Sequence, residues 1–234
     1  MTRFIYATDL HGSLDLYEKL LGYAVSEEVD AVLIGGDISP LAAIPVQRDF
    51  LQNYLVPRLR DFRKKHKKEI FIIMGNDDFS VNMDVLEKAE QEGILKTSNM
   101  KSHRFREIFI TGYSYIAPTP FLIKDWERLE QEIKKDLRAL AKKSDPSKTI
   151  FMFHIPPYKT RLDRLWNGES AGSIAVKEFI EEFQPLLTLH GHIHESPDMS
   201  GAWKEKFGKT VGINPGNGRY VIFDSGLKDI KLRE

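Results

Sequence analysis

Five short apolar runs punctuate the chain: "FIYA" at 4–7, "AVLI" at 31–34, "IFIIM" at 70–74, "IFMF" at 150–153 and "LLTL" at 186–189. They are continuous rather than alternating, the pattern of strands covered on both faces in a parallel sheet. Between the first two, Leu14, Tyr17, Leu21 and Ala24/Val25 recur at helical spacing. Phe50, Leu51, Tyr54, Leu55, Leu59 and Phe62 repeat that spacing over residues 46–65, and residues 84–92, 125–143 and 173–183 are further helix candidates. Strand and helix in alternation predict α/β crossovers.

Two stretches break the alternation. Residues 103–116 and 209–232 read as strands and hairpins without intervening helices, with "NPGNG" as a turn between two strand-like runs. They predict a second, largely antiparallel contribution packed beside the parallel strands. The loop 156–172, "PPYKTRLDRLWNGESAG", is the longest stretch without periodicity, and long loops in compact domains are often functional. No repeat, low-complexity tract or dividing linker is present, so one domain over residues 1–234 is expected.

Composition narrows the chemistry. The 34 basic residues balance 34 acidic ones, so no global field draws in nucleic acid or an anionic membrane. There is no cysteine, which removes disulfides, thiolate ligands and a cysteine nucleophile. A transition metal would have to be held by His, Asp, Glu or Asn. No segment approaches membrane-spanning length and the start lacks a signal-peptide core, so a cytoplasmic protein is expected.

Each apolar run leads into metal-competent residues. "FIYA" opens into "TDLHG" with Asp9 and His11, "AVLI" into "GGDIS" with Asp37, and "IFIIM" into "GNDD" with Asn76. "IFMF" opens into "HIPP" with His154, and "LLTL" into "HGHIHE" with His192 and His194. Carboxyl ends of parallel strands share one sheet edge, where α/β proteins place their sites. Singly, "TDLHG", "GGDIS" and "HIPP" read first as turns and caps. Three histidines within "HGHIH" are costly to bury without a ligand. Jointly the motifs hold five of the seven histidines, leaving only His66 and His103 outside.

In this order the motifs resemble the calcineurin-like metallophosphoesterases, whose pattern runs Asp-x-His, Gly-Asp, Gly-Asn-His-(Asp/Glu), a lone His, then Gly-His-x-His. Here it reads Asp9-Leu-His11, Gly36-Asp37, Gly75-Asn76-Asp77-Asp78, His154 and Gly191-His192-Ile-His194, with "INPG" at 213–216 fitting the strand that commonly follows. The resemblance implies a four-layer α/β/β/α sandwich of two mixed sheets with a metal site at the C-terminal edge of the strands. It implies one metal on Asp9, His11 and His194, a second on Asn76, His154 and His192, and Asp37 bridging both. This oxygen and imidazole set suits manganese first, and iron, zinc, cobalt, nickel or magnesium as other divalent choices. Two such ions about 3.5–4 Å apart hold a bridging hydroxide and clamp a phosphoryl group for in-line attack. The implied partner is a small-molecule phosphoester, with no nucleic acid and no membrane; self-association is left open.

Position 77 departs from the family pattern. The usual histidine, thought to protonate the leaving oxygen or stabilise the transition state, is Asp77 here. A carboxyl of reference pKa about 3.9 is a poor acid near neutrality. A subset of the family also lacks this histidine and is often associated with phosphodiester hydrolysis. Two divalent ions contribute about +4 and Asp9, Asp37 and a hydroxide about −3, leaving roughly +1, much of which an ionised Asp77 cancels. Asp37, Asn76 and Asp77 are accordingly the candidate catalytic residues, and a diester with a good leaving group, aryl or cyclic-nucleotide-like, the expected substrate. Asp78 reads either as an orienting partner of an imidazole such as His11 or as a turn cap, and His190 and Glu195 as structural or supporting. A monoesterase, a nuclease and a non-catalytic scaffold are the rival readings. Nothing in this neutral chain marks the basic groove a nuclease needs, and all seven presumed ligands are retained.

Elsewhere, "RKKHKK" at 63–68 reads as a solvated helix end whose cations complement the helix dipole. Arg161, Asp163, Arg164 and Trp166 are either pocket-shaping or surface residues, and Trp203 is exposed-looking.

Overall fold

A computed structural model describes residues 1–121 and 124–234. The first sheet has the order β12-β11-β1-β2-β3-β4, from β1 (Arg3–Ala7), β2 (Ala31–Gly35), β3 (Glu69–Ile73), β4 (Lys96–Thr97), β11 (Tyr220–Asp224) and β12 (Ile230–Arg233). The second has the order β5-β6-β7-β8-β10-β9, from β5 (Ser102–Phe105), β6 (Ile108–Tyr113), β7 (Thr149–Phe153), β8 (Leu187–Leu189), β9 (Lys204–Phe207) and β10 (Thr210–Ile213). The five apolar runs are β1, β2, β3, β7 and β8.

The two sheets stack face to face with helices outside each, and the strand period of two sorts side chains between layers. Phe4, Tyr6, Leu33, Phe71, Val221 and Phe223 point between the sheets, against Ile110, Ile150, Met152, Leu189 and Ile213. The alternate residues Ile5, Val32, Ile34, Ile70, Ile72 and Ile222 face helices α1 (Leu14–Ser26), α3 (Val56–His66) and α4 (Met83–Gln91). On the other side Tyr113, Phe151 and Phe153 meet α5 (Glu130–Ala141) and α6 (Ile174–Phe183). This is the α/β/β/α sandwich, and it explains why the central runs are apolar on both faces.

Local signals set the helices. Ser13 caps α1 by accepting the Leu16 N–H, Asp15 lies in the first turn, and Tyr17, Leu20, Leu21 and Ala24 form its buried stripe. A short α2 (Ile44–Phe50) runs through a π-helical segment at Leu51–Leu55 into α3. The basic run ends α3: Lys67 takes a left-handed conformation there, after Arg63, Lys64, Lys65 and His66 in the last turn.

Four expectations change. The antiparallel contribution of residues 103–116 and 209–232 is divided: β5–β6, β11–β12 and β1–β11 pair antiparallel, but the second sheet has a parallel centre, β6–β7, β7–β8 and β8–β10, with only the edges β5 and β9 antiparallel. "NPGNG" carries the chain from β10 in one sheet to β11 in the other, so the strands it joins do not pair with each other. The helix read from 125 begins at Glu130; residues 125–129 instead pair with the stretch after β6 through an Ile116–Glu127 bridge. Trp203 is half-buried against the core between the sheets. Among the described residues no helix is long and apolar enough to cross a membrane.

The loop 156–172 is pinned from within. Buried Asp163 accepts N–H groups of Lys159 (2.9 Å), Thr160 (2.9 Å) and Gly172 (3.1 Å), closing both ends of the loop. Trp166 is exposed at its tip. Asp163→Ala strands three donors, so a loss of about 3 kcal/mol is expected by urea denaturation, with faster proteolysis inside residues 156–172.

Candidate metal centre

The strand exits of both sheets meet at one rim. From the first sheet, β1 continues to Asp9 and His11, β2 to Asp37 and β3 to Asn76. From the second, β7 continues to His154 and β8 to His192 and His194. Backbone bonds hold the exits side by side: Asp9 N–H donates to Gly36 O (3.0 Å), His11 N–H to Asp37 O (2.8 Å) and Gly191 N–H to His154 O (2.9 Å). Glycine is required where these turns touch. A Cβ on Gly75 would collide with Asp37 Oδ1, and one on Gly191 with Thr8 Oγ1.

All seven sequence-predicted ligands converge. Asp9, His11 and His194 each offer a ligand atom, mutually within 4.8 Å; so do Asp9, Asp37 and His154, and so do His11, Asp37 and Asp77. Asn76 Oδ1 lies 3.0 Å from His154 Nε2 and 2.6 Å from His192 Nδ1, and His154 Nε2 lies 3.3 Å from Asp37 Oδ2. Asp37 thus belongs to groups on both sides of the rim. Buried Asp9 Oδ2 and both ring nitrogens of His11 have no hydrogen-bond partner among the described residues. A neutral imidazole has one lone pair, so Asp9 Oδ2 and one His11 nitrogen are orphaned acceptors, costly to bury, and a divalent cation is a group that would satisfy them.

The electrostatics fit that reading. The Gly35 carbonyl, 2.9 Å from His154 Nδ1, can only accept, so Nδ1 carries a proton and Nε2 faces Asn76 and Asp37. Burial opposes charge on His154, but Asp37, Asp9 and the Gly35 carbonyl lift it to about 10. Burial likewise opposes ionisation of Asp37, yet His154, then His11 and the Asp77 N–H, hold it below the ordinary carboxylate range. A proton on His154 Nε2 and a cation therefore compete for one place. Burial and the His154 charge depress His192 to about 3, keeping that imidazole neutral. Asp9 is raised by burial, against the pull of His154.

Asp78 takes the capping role. Its carboxylate accepts N–H groups of Ile38 (3.0 Å), Ser39 (2.8 Å) and Gly75 (2.9 Å), tying the "GGD" turn to the "GND" turn. It does not orient His11, whose nitrogens are unpartnered. Burial and Asp37 raise Asp78 to about 7 against those three donors. His190 is held away from the rim: its Nδ1–H donates to Ile155 O (3.1 Å) and its Nε2 accepts from Thr188 Oγ1 (2.9 Å). It stacks beside Phe153 as a structural residue.

Three residues escaped the sequence reading. Buried Asn214 of "INPG" donates to the carbonyls of Leu162, Gly191 and Ile193, bracing the histidine turn. Gln47 donates to Asp77 O (2.6 Å) and accepts from Phe79 N–H (2.9 Å), clamping "GNDD". Lys124 pairs with the Asp77 carboxylate. It lines a cleft of about 270 Å³ over Asp37, Asn76, Asp77, His192 and His194. The Asn-Pro dipeptide marked a turn at 214; nothing local marked Gln47 or Lys124. With Lys124 alongside, Asp77 no longer subtracts an uncompensated charge, and that part of the charge count is corrected.

A sandwich of two mixed sheets with carboxylates, an amide and imidazoles gathered on one rim defines a metal-binding α/β protein. The family model described as calcineurin-like phosphoesterase matches residues 2–196, and the chain belongs to that family. Among solved structures, the chain is similar to TT1561 of Thermus thermophilus, at 19% identity and TM-score 0.77 over 100% of this chain and 98% of that one. It is similar to a dimetal phosphatase from Danio rerio at 12% identity and TM-score 0.61, over 99% and 98% of the two chains. A novel archaeal phosphodiesterase aligns at 12% identity and TM-score 0.52, over 99% of each. These likenesses show the fold. No curated protein matches the sequence significantly.

His190 predicts a pH effect. Burial pushes it down from 6.5 to about 3, so as pH falls below 6.5 the unfolded chain binds a proton that the folded chain refuses. Stability on this account is complete above 6.5 and declines until about 3. His190→Asn should be less stable than wild type at neutral pH. It should escape a pH-dependent loss of about 2 kcal/mol near pH 5, read from denaturation curves at each pH.

Proposed function

We propose that the chain is a binuclear metal-dependent phosphodiesterase acting on small diesters with good leaving groups, aryl or cyclic-nucleotide-like. The observation that carries the metal reading is the orphaned pair of Asp9 Oδ2 and the lone-pair nitrogen of His11, beside His194. In this reading Asp9, His11 and His194 hold one divalent ion, Asn76, His154 and His192 a second, and Asp37 lies between. Manganese is the first choice for such oxygen and nitrogen donors. When bound, the pair would supply activation of water and neutralisation of phosphoryl charge.

The chain's own residues then orient and exclude. Gly35 and Asn76 fix the His154 ring, Asp78 locks the two acidic turns, and Asp9 Oδ1 accepts the His192 N–H at 3.0 Å. No imidazole stands at position 77, and the aspartate there is engaged by Lys124. The proton demanded by a poor leaving group thus has no imidazole donor on this wall, which favours esters whose leaving group departs as an anion. The pairing also removes the electrostatic case against monoesters, so the diester preference rests on the likeness to the family subset that lacks this histidine, while the missing acid bears on the leaving group. The neighbours include both a phosphodiesterase and a dimetal phosphatase, chemistries that this fold supports in those proteins.

The test is a comparison of bis-p-nitrophenyl phosphate with p-nitrophenyl phosphate on manganese-loaded protein. The diester should show kcat/KM higher by about tenfold or more, and chelation should abolish the activity. Faster monoester cleavage, or activity that survives chelation, contradicts the proposal. Asp77→His should raise turnover of alkyl diesters more than of aryl ones; an unchanged ratio means position 77 does not set leaving-group preference.

A further inference from the structure

The Asp77–Lys124 pair is built into the cleft wall rather than left on the outer surface. The two side chains are only 17% and 22% exposed. Each partner is anchored to the same turn. Asp77 donates its N–H to Asp37 Oδ1 (2.8 Å) and its carbonyl accepts from Gln47. The segment bearing Lys124 docks through Trp126, whose Nε1–H donates to Asp78 O at 2.8 Å. Asp125 does the same by accepting both the N–H and the hydroxyl of Ser80 at 2.9 Å. An ion pair at an outer surface contributes little and needs no such anchoring. Here two separate segments are pinned so that an ammonium stands over the rim. An ammonium has three donors, and among the described residues Asp77 is its one partner. The others are available to an anion in the cleft.

We propose that Lys124 is a substrate-positioning residue that donates to a non-bridging phosphoryl oxygen, with Asp77 holding it in place. This rests on the phosphoesterase reading and adds to it the residue that grips the substrate anion in the cleft it shares with His192 and His194. The pair performs the charge-holding half of what a protonated imidazole at position 77 would do, without the proton transfer. Because the non-bridging oxygen is present in both ground and transition states, Lys124 acts mainly on KM rather than on kcat.

The test uses the full-length chain loaded with manganese, with Lys124→Met to remove the charge while keeping the stem and Lys124→Arg to restore a cation. Inorganic phosphate is titrated calorimetrically, and bis-p-nitrophenyl phosphate kinetics are measured alongside. Lys124→Met should bind phosphate about tenfold more weakly and raise KM by a similar factor, with kcat little changed and metal content equal to wild type. Lys124→Arg should recover most of the loss. Wild-type phosphate affinity in Lys124→Met overturns the inference, as does a loss confined to kcat or an arginine variant no better than methionine. Should Lys124→Met fail to fold, Lys124→Gln enters the same titration with the same expected loss. A wild-type protein that binds phosphate through Lys124 yet cleaves no ester defeats the phosphodiesterase reading and leaves the anion-holding role standing.

Discussion

Carboxylates and imidazole lone pairs repel one another when packed together, and here they are packed together at the seam of two stacked sheets. Asp9, Asp37 and His154 are almost wholly buried, and their ligand atoms meet. The backbone is bent to achieve this: Asp9 (φ 55°), His11 (φ 44°), Asp37 (φ 47°) and His192 (φ 64°) all occupy the left-handed region that side chains avoid. Such residues cost about 1–3 kcal/mol each and persist only where the surroundings over-determine them. The strand exits, the Asp78 tie and the close glycine contacts do that. A cation, in place of the proton that Asp37 and Asp9 otherwise hold on His154, would offset the repulsion that this scaffold imposes.

The scaffold can hold the strain because the ligands sit on strand ends and not on free loops. Three layers of apolar packing fix β1, β2, β3, β7 and β8, so the exits inherit rigid positions. The rest of the cleft lining comes from a different source, the long connection between β6 and α5 that carries Thr119, Phe121 and Lys124. Rigid strand ends thus present the chemistry, and a connecting segment shapes what reaches it.

Much of this was legible before the fold was known, since a strand buried on both faces must read as an unbroken apolar run and a strand exit must change abruptly to polar residues. "FIYA" followed by Asp9 and His11, or "IFMF" followed by His154, carries both signals within a few residues. What escaped depends on long-range partners. Nothing near Lys124 names Asp77 as its counterion 47 positions away, and nothing near Gln47 announces Asp77 and Phe79. The pairing of β10 with β8 was hidden for a like reason. A turn signal such as "NPGNG" marks a reversal of the chain but not which sheet receives the next strand. Asp78 was ambiguous because a capping carboxylate and a ligand-orienting one look alike in sequence; only the three N–H donors around it decide.

The central claim is that two cations occupy this rim, one on each side of Asp37. Anomalous diffraction at the manganese edge, from crystals grown with manganese, tests it most directly. Two peaks are predicted, one among Asp9, His11 and His194 and the other among Asn76, His154 and His192, both in contact with Asp37. A rim without anomalous signal at saturating manganese, or ions bound only elsewhere, would contradict the account.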